Sequence, residues 1–317
     1  MSAYCSMLER HPENPILSPE DFPYGPADVV FNCGQTMFEG KTLLLVAVIL
    51  RNHPTPRIHV ATSEDGVHFD IREEPFITRL EEEPFHSLDT WPIDPRVTRI
   101  GDTYYIIRPG NSQAGCIAFL EKTTDFVTRE FVDIVSLPSN RVPCLFPEQV
   151  GGSYVRLDRP YNHSPQPGGV RHELGNIWIS YSPDLVHWGR HRFLMGGFSH
   201  WNWVKVGPTP PIKTEAGWLE IFHGVTENCS TTRYSLGAML LDLDDPSRIA
   251  GRMESYILTP ETDYEWMGRV PDVVFACGAI ADLEERRLRV YYGAADTRIC
   301  LAEGDLDEII RGCLEGR

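Results

Sequence analysis

Along this chain short apolar runs alternate with tight polar turns, and the alternation recurs. Five stretches share one shape: residues 31–45, 94–105, 145–155, 210–219 and 278–290. Each reads as a strand, a polar or Gly-containing turn and an apolar or aromatic strand, as in Asp94-Pro95-Arg96-Val97-Thr98-Arg99-Ile100-Gly101-Asp102-Thr103-Tyr104-Tyr105. A second strand type recurs between them, at 58–63, 117–120, 177–181, 236–241 and 297–302, mostly before Asp-rich turns such as Glu64-Asp65-Gly66 and Ser182-Pro183-Asp184. One supersecondary unit repeated every few dozen residues signals a solenoid, propeller or array. Antiparallel hairpins close most naturally as a propeller, which leaves short, protected edges. The pattern therefore predicts an all-β, five-bladed β-propeller. Helical periodicity is scarce, and the clearest case is a short C-terminal helix over 305–314, acidic in its first turn and with Arg311 near its end.

No linker or low-complexity segment divides the 317 residues, so residues 1–317 are expected to form one catalytic domain, with 1–12 and 305–317 outside the blades. Those two ends are surfaces on which a second copy of the chain could pack, which makes a homo-oligomer an expectation. The net charge of −16 argues against nucleic acid or an anionic membrane as partner, though not against an anionic small substrate held in a local basic pocket. No apolar run approaches the ~20 residues of a membrane span, and residues 1–15 lack a basic stretch followed by an apolar one. A cytoplasmic location is expected. The eight cysteines are scattered without a CxxC pair, and several in strand-like runs, such as Cys277, read as small buried apolar residues. The histidines form no HxH or HExxH pair, and no metal is expected.

Three loops, 78–93, 161–175 and 196–204, are long and carry Trp91, Trp201, Trp203, His163, His172 and His200. Long loops on a rigid scaffold are where binding usually resides. Tryptophan planes suit sugar rings, and they equally serve to plug the ends of a propeller. Asp94 stands at the start of a blade, held extended by Pro95, where it would face the central funnel. Arg141, Arg159, Lys205, His223 and Arg51 (with Asn52) fall at strand starts or hairpin ends of the first, third and fourth repeats. Taken singly, each is readily a salt-bridge partner. As a set they suggest a ring of cations about one axis and a pocket for phosphate or carboxylate.

Taken together, these residues are familiar. The chain resembles glycoside hydrolase family 130, five-bladed propeller enzymes acting on β-mannosides, over nearly its whole length. The resemblance is carried by Asp94-Pro95-Arg96-Val97-Thr98, Leu145-Phe146-Pro147-Glu148, Val155-Arg156-Leu157-Asp158-Arg159-Pro160, residues 207–214 with Gly217-Trp218-Leu219, Phe222-His223-Gly224 and Tyr291-Tyr292-Gly293-Ala294-Ala295-Asp296-Thr297. It implies Asp94 as catalytic acid, delivering its proton through the 3-hydroxyl of the mannosyl residue. It implies phosphate binding by Arg141, Arg159, Lys205 and His223, and contact of Arg51, Asn52 and Asp296 with the mannosyl unit. The implied reaction is inverting phosphorolysis of a β-mannoside to α-D-mannose 1-phosphate and a shortened acceptor sugar. Inorganic phosphate is the co-substrate and no other cofactor is expected. Inverting hydrolysis needs a base to activate water, whereas phosphate is already a nucleophile, so cations can stand in the base's place.

Three positions depart from the family pattern. Ile93 and Val142 replace residues that are commonly acidic, and Asp158 stands where many relatives have His. A carboxylate beside a phosphate pocket repels phosphate. Asp158 could pair with Arg156 or Arg159, contact the acceptor sugar, or activate water. The last would make the enzyme an inverting β-mannosidase. A non-catalytic carbohydrate-binding propeller is the third reading, and a lectin would have no need of Asp94 with three cations.

Overall fold

The strand Lys41–Leu50 is apolar at nearly every position, so it has two faces to bury. Alternate side chains go to different neighbours, as the period of 2 in a strand dictates. Leu43, Leu45, Ala47 and Ile49 enter one core, while Leu44, Val46 and Val48 enter another. The strand Gly217–Glu227 behaves likewise, with Leu219 and Ile221 in one core and Trp218 and Phe222 in the next. A sheet with two apolar faces needs a sheet on each side, and repeating that arrangement closes a ring.

The computed structural model describes residues 6–165, 171–197, 203–227 and 232–316. Five sheets form the five blades of a β-propeller. The first is Ala27–Phe38, Lys41–Leu50, His53–Ser63 and Asp70–Ile71; the second is Arg96–Ile100, Thr103–Ser112, Gly115–Thr123 and Glu130–Ser136. The third is Cys144–Leu145, Tyr154–Asp158, Ile177–Ser182 and Gly189–Met195. The fourth centres on Trp203–Gly207, Gly217–Glu227, Thr232–Leu241 and Ile249–Arg252, and the fifth on Val274–Ala276, Arg287–Ala294 and Arg298–Asp305. Apolar cores fill the five spaces between successive blades, the last lying between the fifth blade (Tyr291, Ile299, Leu301) and the first.

The ends of the chain differ from expectation. Glu9–Arg10 pairs antiparallel with Arg298–Asp305 and supplies the outer strand of the fifth blade, so residues 1–12 do not all lie outside the blades. The physical reason is that the exposed edge of the last blade needs a partner, and the start of the chain provides it. The C-terminal helix is Leu306–Glu315; Asp305 caps it by accepting a hydrogen bond from the Glu308 N–H at 2.8 Å. Its Leu306, Ile309 and Cys313 pack into the core between the fourth and fifth blades.

Two of the three long loops also prove more ordered than the pattern suggested. Residues 78–93 contain the short helix Phe85–Leu88. Within 161–175 the segments Tyr161–Pro165 and Arg171–Gly175 form an antiparallel hairpin. That hairpin leaves the third blade and joins the fourth, where Gly175 pairs with Lys205. Within 196–204 the expectations on His200 and Trp201 lie outside the described residues, as do those on the side chains of His163, His172 and Trp203. Six cysteines are free and buried, Cys33, Cys116, Cys144, Cys277, Cys300 and Cys313; Cys5 and Cys229 lie outside the described residues. Among the described residues no helix is long and apolar enough to cross a membrane.

Candidate active site

At the centre of the ring the starts of several blades converge on a cavity of about 240 Å³. It is lined by Asn32 of the first blade, Asp94 before the second, Arg141, Arg159 and Tyr161 around the third, Lys205, His223 and Tyr234 of the fourth, and Phe275 and Asp296 of the fifth. Val270 and Val273 complete the wall. Asp94, Arg141, Arg159, Lys205, His223 and Asp296, picked out separately from sequence, are thus brought together.

The acidic wall stands on unusual backbone. Asn32, Asp94 and Asp296 all have positive φ, at 46°, 50° and 49°, so Asp94 is left-handed and not extended as the following Pro95 predicts. Asn and Asp tolerate this left-handed region better than most residues, but non-glycine residues held there cluster at functional sites. Asn32 sits at a bulge in Ala27–Phe38, where the register with Lys41–Leu50 shifts between Phe31 and Gly34. The bulge turns its side chain out of the strand's alternation and toward Asp94. Its Nδ2 donates to Asp94 Oδ1 at 2.9 Å and it also hydrogen-bonds Asp296. Glycine is required opposite: a Cβ on Gly293 would lie 2.1 Å from Asn32 Oδ1.

Asp94 is 1% exposed. Its Oδ2 accepts from Arg141 Nη2 at 3.2 Å, and its backbone carbonyl accepts from Arg96 Nη1 at 2.8 Å. Arg96 is itself buried, so the acid rests on a fixed cation below and meets a second one in the cavity. Burial and the neighbouring Asp94 push the Asp296 carboxyl up to about 6, against the opposing effect of Arg141, Asn32 and Arg269. Arg269 in turn lies 5.5 Å from the ring centroid of Trp91, the loop tryptophan, which packs on the core between the first two blades.

The basic wall has a different construction. Arg159 is 3% exposed; its Nη1 contacts His223 Nε2 at 2.8 Å and its Nη2 donates to the Tyr161 hydroxyl at 2.6 Å. An arginine can only donate, so Nε2 of His223 accepts and its proton sits on Nδ1. Burial, reinforced by Arg159, Arg96, Lys205 and Arg141, holds the imidazole neutral well below its ordinary range. His223 Nδ1 has no partner among the described residues, although His223 is wholly buried. A Cβ on Gly207 would lie 2.3 Å from the His223 ring, so glycine there admits the His–Arg contact. Lys205 Nζ lies 5.6 Å from the Tyr234 ring centroid and 6.0 Å from that of Tyr161, within cation–π range. Two arginines and a lysine, with the His223 imidazole beside them, therefore surround one space, which suits an oxyanion carrying more than one charge.

The remaining sequence candidates are placed elsewhere. Asp158 is buried, 3% exposed, and is not part of the cavity wall. It pairs with Arg156 at 2.8 Å and accepts from Asn140 Nδ2 at 2.8 Å and Ser180 Oγ at 2.6 Å. The expected contact with sugar is thereby corrected: all these bonds face the interior of the third blade. Arg51 and Asn52 occupy the exposed turn between Lys41–Leu50 and His53–Ser63, with Arg51 paired to Asp28 at 3.0 Å. Sequence reasoning missed Asn32, Tyr161, Tyr234 and Phe275. The available signal for Asn32 was one amide inside the apolar run Val29-Val30-Phe31-Asn32-Cys33.

The site has relatives. The profile of glycoside hydrolase family 130, described as β-1,4-mannooligosaccharide phosphorylase, matches residues 7–315. The chain is 32% identical over 316 residues to β-1,4-mannooligosaccharide phosphorylase of Ruminococcus albus, covering 96% of this chain and 90% of the relative. It is 41% identical over 258 residues to β-1,2-mannobiose phosphorylase of Listeria innocua, covering 80% and 67%. The solved complex of a Listeria innocua β-1,2-mannobiose phosphorylase with β-1,2-mannobiose superimposes with a TM-score of 0.84 at 32% identity, over 96% of this chain and 99% of that one.

Proposed function

The chain belongs to glycoside hydrolase family 130, and on that premise we propose that it cleaves β-mannosides by inverting phosphorolysis, releasing α-D-mannose 1-phosphate and a shortened acceptor sugar. The observation that carries this reading is the convergence of Arg141, Arg159, Lys205 and the neutral His223 on the same cavity as the buried Asp94. A hydrolase needs a base at that place; a phosphorylase needs cations.

The geometry supports the following roles. Phosphate sits against the basic wall, its oxygens held by the two guanidinium groups and the Lys205 ammonium beside His223. One phosphate oxygen attacks the anomeric carbon from the α face as the β-glycosidic C–O bond breaks. Asp94 supplies the proton that leaves with the acceptor oxygen. Because Arg141 contacts Asp94 directly, acid and nucleophile site adjoin, and the sugar ring lies between them. Asp296 and Asn32, on the acidic wall, hold the mannosyl hydroxyls. Asp158 takes no part in activating water, since Arg156, Asn140 and Ser180 occupy both its oxygens.

The test is product analysis on a panel of β-1,2- and β-1,4-mannosides with and without inorganic phosphate. Mannose 1-phosphate should form only with phosphate. In Asp94→Asn its rate should fall by roughly 10²–10⁴, the usual contribution of a general acid. Free mannose released at a rate indifferent to phosphate would overturn the reading.

A further inference from the structure

The two phosphate-facing arginines come from separate segments, 139–141 and 158–161, that run side by side. Asn140 and Pro160 form an isolated antiparallel bridge. Around it the Tyr161 N–H donates to Ser139 O at 2.9 Å and the Arg141 N–H to Arg159 O at 3.4 Å. Residues 139–141 and 159–160 belong to no regular strand, so the ladder alone is short.

The side chain of Asn140 adds what the backbone lacks. Its Nδ2 donates to Asp158 Oδ1 at 2.8 Å, and its Oδ1 accepts from the Arg159 N–H at 3.0 Å. A carboxylate can only accept and a backbone N–H can only donate, so these two partners leave the amide one orientation. Asp158 is fixed in turn by Arg156 at 2.8 Å and by Ser180 Oγ at 2.6 Å. Arg156 is anchored on the Val135 carbonyl at 2.7 Å and lies 4.2 Å from the Trp188 ring centroid. The chain of contacts therefore runs from the second and third blades, through Asp158 and Asn140, to the backbone of Arg159 and the residue before Arg141. Arg156, Asp158, Asn140 and Ser180 are all buried. The Arg156 guanidinium also offsets the Asp158 charge, so a carboxylate one residue from Arg159 is tolerated near an anion site.

We propose that Asn140 and Asp158 form a positioning device that sets the spacing of Arg141 and Arg159, and hence the affinity for phosphate. Neither touches substrate; both act through the arginines. The inference rests on the phosphorolysis reading, since it concerns phosphate.

Asn140→Ala removes both side-chain bonds and leaves the buried Arg156–Asp158 pair intact. The KM for phosphate should rise roughly tenfold or more, the scale on which small misplacements act, while the KM for mannoside at saturating phosphate changes less than about twofold. Ile179→Val, a core truncation opposite Leu157 that touches none of these bonds, provides a variant of lowered Tm in which the phosphate KM should not move. Asn140→Ser, which keeps a short polar group, is the second variant should the alanine protein not fold. Stabilisation of each folded protein by inorganic phosphate alone, read as a rise in Tm, gives a measure independent of turnover. An unchanged phosphate KM in the Asn140 variants, or an equal rise in Ile179→Val, would overturn the positioning role. Wild-type protein that neither requires phosphate nor is stabilised by it would instead overturn the phosphorolysis reading.

Discussion

Two clusters of buried arginine, one in the second blade and one at the central cavity, look alike in sequence and are built on opposite principles. Arg108, Asp89 and Glu121 are all 0% exposed. Arg108 donates to both oxygens of Asp89, at 2.6 and 2.8 Å, and to Glu121 at 3.1 Å, while Arg129 also reaches Glu121. Two cations face two carboxylates, and the charge is closed within the protein. Arg159 is buried nearly as deeply, yet its partners at the cavity are an imidazole and a phenol. Neutral acceptors fix its direction without cancelling its charge. At Arg108 the carboxylates close the charge within the fold; at Arg159 the neutral partners leave it open to the cavity. The first cluster serves the second, because Asp89 also accepts from the Leu80 N–H at 2.9 Å and so ties down the 78–93 loop that leads to Asp94.

The largest effects should come from exchanging an arginine for an apolar residue of similar length in each cluster. Arg159→Met should lower kcat/KM for phosphate by roughly 10³, as removal of a preorganised donor does elsewhere, with Tm unchanged or raised because a buried, uncompensated charge is gone. Arg108→Met leaves Asp89 and Glu121 facing each other without their shared cation, and should cost about 3–5 kcal/mol of stability. Its folded fraction should keep the wild-type KM for phosphate. Denaturant unfolding together with initial-rate kinetics checks both. An Arg159 variant that unfolds, beside an Arg108 variant that loses phosphate affinity, would reverse the comparison.

Much of this was readable in the sequence, and the reasons for the rest are physical. The five blades were legible because each repeats a hairpin whose apolar positions alternate between two cores, as at Leu43 to Ile49. That Asp94, Arg141, Arg159, Lys205 and His223 would share one cavity was legible because strand starts and hairpin ends of a propeller gather at its axis. Asp158 was harder. Its neighbour in the chain, Arg159, points into the cavity, but Asp158 shares a strand face with Arg156, two residues back, and pairs with it there. Asn32 was hidden for another reason: its direction comes from a bulge and a left-handed residue, and a hydrophobic pattern carries no sign of either. The hairpin Tyr161–Pro165 with Arg171–Gly175 read as a loop because its middle is rich in Pro and Gly, and strand propensity says little there.

The smallest expected effect sharpens the comparison, because it asks whether a carboxylate at the cavity carries the same cost as Arg159. Burial, with the nearby Asp94, raises the Asp296 carboxyl to about 6. Its folded value lies above its unfolded one, so between about 4 and 6 the folded state binds more protons than the unfolded state. The sign is then fixed: stability falls as pH rises through that window, and ionised Asp296 opposes folding at pH 7. Asp296→Asn should therefore be more stable than the wild type at neutral pH, with the difference shrinking toward pH 4. For catalysis the sign is reversed, since a carboxylate is the better acceptor for sugar hydroxyls. Wild-type kcat/KM for mannoside should fall below about pH 6, by up to about tenfold per unit, and Asp296→Asn should lose that limb while keeping the phosphate-induced rise in Tm. Tm against pH and a pH–rate profile on the two proteins decide it. An Asn variant less stable than wild type at pH 7 would place Asp296 with Asp89 and Glu121, as a charge the fold needs rather than one it tolerates for the substrate.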